Sequence, residues 1–147
     1  MQQLNLPDFE YTLRKIEDKL HIFDAIRKKY LVLTPEEWVR QHVVHFLIHH
    51  LGYPKSLIKM EAGHSQNQRL KRTDILVYRS SGELFMLVEC KAPEVGIQAS
   101  VFEQAFQYNM HLKAEFVFLT NGLQHYCYAI HPEAAPHLLT EFPSYKV

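Results

Sequence analysis

A mixed α/β fold, with a central sheet of about five strands flanked by helices and a strand extension at the N-terminus, is the architecture this chain predicts. Three patterns carry the prediction. A capped amphipathic helix follows Thr34, apolar runs of strand length lie between 57 and 91, and a helical stripe followed by two short strands occupies 99–130. The 147 residues suit one domain spanning 1–147, with an N-terminal extension over 1–30, a core over 31–130 and a tail over 131–147.

In the extension, Phe9, Tyr11 and Leu13 alternate with polar residues, and 19–23 reads as a second short strand. The stretch that follows, through Arg27, Lys28 and Lys29, is basic, and either packs across the domain or faces a polyanion. Thr34-Pro35-Glu36-Glu37 then spells a helix start, with Thr at the N-cap, Pro at the first helical position and Glu37 closing a capping box. Trp38, Val39, Val43, Phe46, Leu47 and Leu51 recur at helical spacing, and Gly52 stops a helix of about 16 residues.

Strands are expected over 57–61, 74–78 and 84–91, the last two joined by a turn at Ser80-Ser81-Gly82, so that the three form an antiparallel meander. Pro93 and Gly96 end the meander, and Val101, Ala105, Tyr108 and Leu112 mark one stripe of a second helix over 99–112. A strand over 116–120, a tight turn at Asn121-Gly122 and a returning strand over 125–130 follow. Pro132, Pro136 and Pro143 limit the tail to one or two helical turns.

The composition narrows the function classes. Formal net charge is zero, so any contact with nucleic acid must come from a local patch and not from a global field. Only Cys90 and Cys127 occur, which fits reduced thiols of a cytoplasmic protein better than a disulfide framework. No apolar run approaches the roughly 18–20 residues of a spanning helix, and Met-Gln-Gln-Leu-Asn lacks the order of a signal peptide, so no membrane association is expected.

The chemistry concentrates at Glu89-Cys90-Lys91 and Asp74. Strand alternation sets Glu89 and Lys91 on one face, turns Cys90 into the packed side, and groups Asp74 with Leu76 and Tyr78. If the two strands pair, two carboxylates and an ammonium meet, a set that holds a hard divalent ion such as Mg²⁺ and orients a water for phosphodiester hydrolysis. The plainer alternative is an ion pair between Glu89 and Lys91 at a strand end, with Asp74 as a cap.

Asp74, fifteen residues before Glu89-Cys90-Lys91-Ala92-Pro93, resembles the signature of the PD-(D/E)xK nuclease superfamily. Pro35-Glu36-Glu37-Trp38-Val39-Arg40, Gly52-Tyr53-Pro54, Arg72-Thr73-Asp74-Ile75, Gln104 with Tyr108, and Thr120-Asn121-Gly122 resemble the N-terminal nuclease domain of type I restriction enzyme R subunits, over roughly 22–130. The resemblance implies a restriction-endonuclease-like core and an endonuclease that cleaves DNA with Mg²⁺, for which Mn²⁺ substitutes. By that likeness Asp74 and Glu89 are metal ligands, Lys91 positions the water, Glu61 assists the metal, and Gln104 and Tyr108 form a Gln-x-x-x-Tyr element. Lys71 and Arg72 are then candidate phosphate contacts.

Each residue also has an ordinary structural explanation: Glu61 as a solvated strand end, Gln104 and Tyr108 as a packed helix face, Glu37 as a capping residue, Lys71 and Arg72 as a solvated flank. These 147 residues contain no phosphate-binding Gly-x-x-x-x-Gly-Lys loop, so the expected partners include a motor or specificity subunit of a restriction system. A homodimer that cuts both strands is a further expectation, on which no interface signature bears. The competing reading from another class is a non-catalytic adaptor that keeps the fold and docks on DNA or on a restriction or repair complex. A third rests on His42, His45 and His49, whose spacing of three and four gathers them on one helix, but no Cys pair or His-Glu-x-x-His accompanies them as a zinc site would require.

Overall fold

A computed structural model describes residues 1–61 and 74–146. Strands β1 (Leu13–Ile16), β2 (Lys19–Asp24) and β3 (Lys29–Val32) precede helix α1 (Pro35–His49), and a single 3₁₀ turn (Lys55–Leu57) leads into β4 (Ile58–Met60). Then come β5 (Ile75–Tyr78), β6 (Leu84–Cys90), helix α2 (Ala99–Leu112), β7 (Phe116–Thr120), β8 (His125–Ala129) and β9 (His137–Leu138). Strands β4 to β9 form one six-stranded sheet in sequence order. Within it β6 and β7 pair in parallel and every other neighbour is antiparallel. Antiparallel neighbours need only short turns, whereas a parallel pair requires a crossover, and α2 supplies it.

Alternation along the central strands sends residues to two cores. Ile75, Val77, Met86, Val88 and Cys90 face α1 through Val39, Val43, Val44 and Leu47. Leu76, Leu87, Val117 and Leu119 face α2 through Ala105 and its neighbours. A helix on either side of a central sheet therefore holds as expected. Each fully buried Leu, Ile or Val side chain contributes about 1.5–3 kcal/mol, and Val39, Val43, Leu47, Ile75, Val77, Leu87 and Val117 are all fully buried.

The ends of the chain add detail to the expectation. The N-terminal strand extension is a separate antiparallel sheet, β1-β2-β3, in which the expected strand at 19–23 is the middle one and the end of the basic stretch enters a third strand. The reason is turn chemistry: Glu17 and Asp18 take positive φ in the first turn and Lys28 does so in the second, conformations that polar residues tolerate in tight turns. Ile22 of this sheet and Leu4 and Leu6 before it enter the α1-side core. The tail holds no helix among the described residues. It supplies the two-residue β9 and then packs Phe142 against Phe118, ring centroids 4.7 Å apart.

Helix α1 starts where Thr34 predicts, its hydroxyl accepting the Glu37 amide at 3.0 Å. The reciprocal half of the capping box is absent, because the Glu37 carboxylate is drawn to Arg40, Gln41 and Arg27 instead. Helix α2 closes on Lys113 in the left-handed region. There Asn109, buried, both donates to the Ala114 carbonyl and accepts its amide, at 3.0 and 2.8 Å.

Candidate active site

The site is built at one end of β4, β5 and β6. The Asp74 amide donates to the Val88 carbonyl and the Asp74 carbonyl accepts the Glu61 amide, both at 3.1 Å, so the ladder continues one residue beyond the start of β5. Ile75 pairs with Val88, but the Asp74 amide bonds the Val88 carbonyl as well, so the regular β5–β6 register ends at Ile75 and Asp74 departs from it. Asp74 and Glu89 both lie at this end of the sheet, Asp74 just before β5 and Glu89 next to last in β6.

Asp74 is held at both oxygens. Its Oδ2 accepts the Cys90 backbone N–H at 2.6 Å and its Oδ1 accepts Nη2 of Arg40 at 2.6 Å. Glu89 is 4 % exposed, and Nζ of Lys91 stands 3.6 Å from its Oε2, which bears out the shared face of Glu89 and Lys91. The Lys91 amide donates to the Thr120 carbonyl at 2.9 Å, extending the parallel pairing of β6 and β7 by one residue. Cys90 points the other way into the α1-side core, as alternation requires. Burial pushes its thiol well above the ordinary range, and the nearby Asp74 charge adds to the effect.

The loop after β7 secures this end of the sheet. Asn121 makes an Asx turn, its Oδ1 accepting the Leu123 and Gln124 amides, while its Nδ2 donates to Val95 in the segment beyond Lys91, at 2.9 Å. The Thr120 hydroxyl accepts the Gly122 amide and donates to Nδ1 of His125, whose Nε2 donates to the Asn5 carbonyl. This neutral tautomer agrees with the lowered pKa of His125, which burial dominates. Gly122 has φ +87°, and a Cβ there would meet Leu4 at 3.0 Å.

Sequence reasoning missed the cationic side of the site. Arg40 reaches Glu36, Glu37 and Asp74 at 2.7, 2.6 and 2.6 Å. Burial alone works to lower its pKa, but the charges of Asp74 and Glu37 outweigh that and hold it above the usual value. Glu37 also accepts from Gln41 at 2.7 Å and faces Arg27 at 3.5 Å. Arg27 in turn clamps Asp24 at 2.7 Å. Asp24 is fully buried, which acts to raise its pKa, yet hydrogen bonds from Arg27 and the Ile26 amide leave it lowered. Arg27 is therefore an internal partner and not a free cation of the basic stretch. The available signal was spacing: Arg40 lies four residues after Glu36 and three after Glu37, where helical neighbours meet.

The remaining candidates are placed unevenly. Glu61 joins the site end through its backbone, half-buried. Gln104 is exposed on α2, and Tyr108, one turn on, packs partly buried against the second core. Lys71 and Arg72 lie outside the described residues. No group of three or more His, Cys, Asp or Glu side chains is gathered for a metal among the described residues. His42, His45 and His49 are engaged otherwise: His42 donates Nδ1 to the Trp38 carbonyl at 2.8 Å, and His45 is stacked between Phe9 and His49, at 4.3 and 5.5 Å.

A six-stranded mixed sheet with a helix on each face is the architecture of a restriction-endonuclease-like α/β domain. The family model for the type I restriction enzyme R protein N terminus matches residues 35–143, and the chain belongs to that family. A search of curated proteins finds no match. Among the described residues no helix is long and apolar enough to cross a membrane.

Proposed function

We propose that this chain is a divalent-metal-dependent deoxyribonuclease that hydrolyses phosphodiester bonds with Asp74, Glu89 and Lys91. The observation that carries the reading is the gathering of these groups at one strand end: the Asp74 carboxylate accepts the amide of Cys90, the residue between Glu89 and Lys91, and the Lys91 ammonium stands 3.6 Å from the Glu89 carboxylate. Family membership supports it. The donor set suits Mg²⁺ or Mn²⁺: two hard carboxylates, one of them nearly buried, where Mg²⁺ typically takes one or two and fills its remaining positions with water and phosphate. Asp74 and Glu89 would hold the ion, which when bound neutralises phosphoryl charge and acidifies water.

The protein groups have separable tasks. The Cys90 amide fixes the rotation of the Asp74 carboxylate. Lys91, anchored through its amide to β7, presents an ammonium that orients the attacking water and offsets charge on the reacting phosphate. Glu61 enters from β4 as an additional acid. Gln104 and Tyr108 lie one turn apart on α2, where amide and phenol would contact substrate. Lys71 and Arg72 would bind flanking phosphates. DNA is the substrate, and a specificity or motor subunit of a restriction system is the partner that would direct it.

The test is nicking of supercoiled plasmid by purified protein. Cleavage is expected with Mg²⁺ or Mn²⁺, to stop in EDTA, and to fall at least about 100-fold in Lys91→Ala and Asp74→Ala, with folding checked by circular dichroism. Undiminished cleavage by both folded variants would refute the assignment. Metal-independent DNA binding without cleavage would favour the adaptor.

A further inference from the structure

We propose that the outer face of the β1-β2-β3 sheet, which precedes the family-matched segment, is a binding surface for a single DNA strand continuing from the catalytic end. This rests on the nuclease reading for its substrate class. Sheet register places Leu13, Ile22 and Leu31 on one face, of which Ile22 is fully buried in the core. The opposite face carries Arg14, Ile16, Lys19, His21, Phe23, Tyr30 and Val32, and none of these strand positions is a carboxylate. Phe23 and Val32 are 37 and 44 % exposed. Phe23 packs edge-on to Tyr30 at 5.2 Å, and the Arg14 guanidinium lies 4.4 Å over the Tyr30 ring. Aromatic rings interleaved with cations on an open sheet suit unpaired bases and their phosphates.

Charge is polarised along this sheet. Glu17 and Asp18 occupy the β1–β2 turn, at the end away from the β2–β3 turn. At the other end Lys28 stands exposed in the turn, Lys29 is exposed opposite Asp24 on the Ile22 side, and Asp24 itself is buried and paired with Arg27. That cationic end also adjoins the catalytic end. Arg27 meets Glu37 at 3.5 Å, Glu37 meets Arg40 at 2.6 Å, and Arg40 meets Asp74 at 2.6 Å. Glu36, the exposed acid on this path, is itself paired with Arg40. A polyanion leaving the carboxylate pocket along this side would pass the Lys28 turn to reach the Phe23–Tyr30 face.

The experiment is fluorescence anisotropy of a labelled single-stranded oligonucleotide and its duplex, in EDTA and across a salt series. Lys19→Glu with Lys28→Glu removes two phosphate contacts, so single-strand affinity should fall about tenfold near 0.2 M salt and the log–log salt slope should lessen by about 1.4. Phe23→Ala should weaken the single strand at least about fivefold with the slope unchanged and leave the duplex unaffected. Wild-type affinity in both variants, each folded by circular dichroism, would overturn the proposal even if plasmid nicking succeeds. Conversely, loss of binding in the variants sustains the surface even if the wild type fails to nick.

Discussion

Arg40 binds three carboxylates from two elements, and its removal would leave Glu37 and Asp74 partly buried with their charge uncompensated. Breaking such a pair from one side costs about 3 kcal/mol or more. Arg40→Met is therefore expected to lower the denaturation midpoint, and Mn²⁺ should restore more of the loss than it adds to the wild type, because the ion replaces the missing cation at Asp74. Thermal melts with and without Mn²⁺ check this. A second expectation concerns His45. Burial, then the neighbouring His49 and Lys55, push its pKa down from 6.5 to about 4. The folded protein thus prefers the neutral ring, while the unfolded chain takes a proton below about 6.5. The stability tied to this group is present above that pH and is lost as pH falls toward 4. His42 acts in the same direction, chiefly through burial. The melting temperature should drop between pH 7 and pH 5, and less so in His45→Phe, which keeps a ring against Phe9.

Among the elements, α1 and α2 show which sequence signals suffice. Thr34→Ala should cost about 1 kcal/mol, read by urea denaturation, since only the hydroxyl caps the Glu37 amide. That start was legible because capping depends on adjacent residues, and α2 and β7 were likewise legible from periodicity alone. The shared face of Glu89 and Lys91 was legible for a related reason: strand parity predicts faces wherever the flanking residues are apolar. Long-range electrostatics were not. Nothing local assigns Arg40 to Asp74, thirty-four residues away, and the same holds for Glu37, which local rules committed to the cap. The hairpins of the N-terminal sheet were missed because its turns use Glu17, Asp18 and Lys28 at positive φ, where glycine or asparagine would have announced a hairpin.

At the scale of the molecule, the segment before the family-matched region is part of the core. Leu4, Leu6 and Ile22 are buried with α1, Trp38 donates to the Gln2 carbonyl at 2.8 Å, and the Asn5 amide donates to the Gly122 carbonyl at 2.8 Å. Burial of the three aliphatic side chains alone amounts to about 5 kcal/mol or more, comparable with the whole stability of a small domain. A version beginning at Pro35 is expected to lose cooperative unfolding in denaturant, whatever its catalytic residues.

Cys90, between Glu89 and Lys91, is 1 % exposed with its thiol pushed well up, and Cys127 is 4 % exposed with its thiol pushed up to about 12, both through burial. Neither sulfur is a nucleophile in the closed protein. Alkylation by iodoacetamide therefore proceeds only through opening of β6 or β8, which makes the two thiols native clocks for the breathing of the sheet. Whatever ion or strand settles against Asp74 and Glu89 would slow the clock at Cys90 more than the one at Cys127.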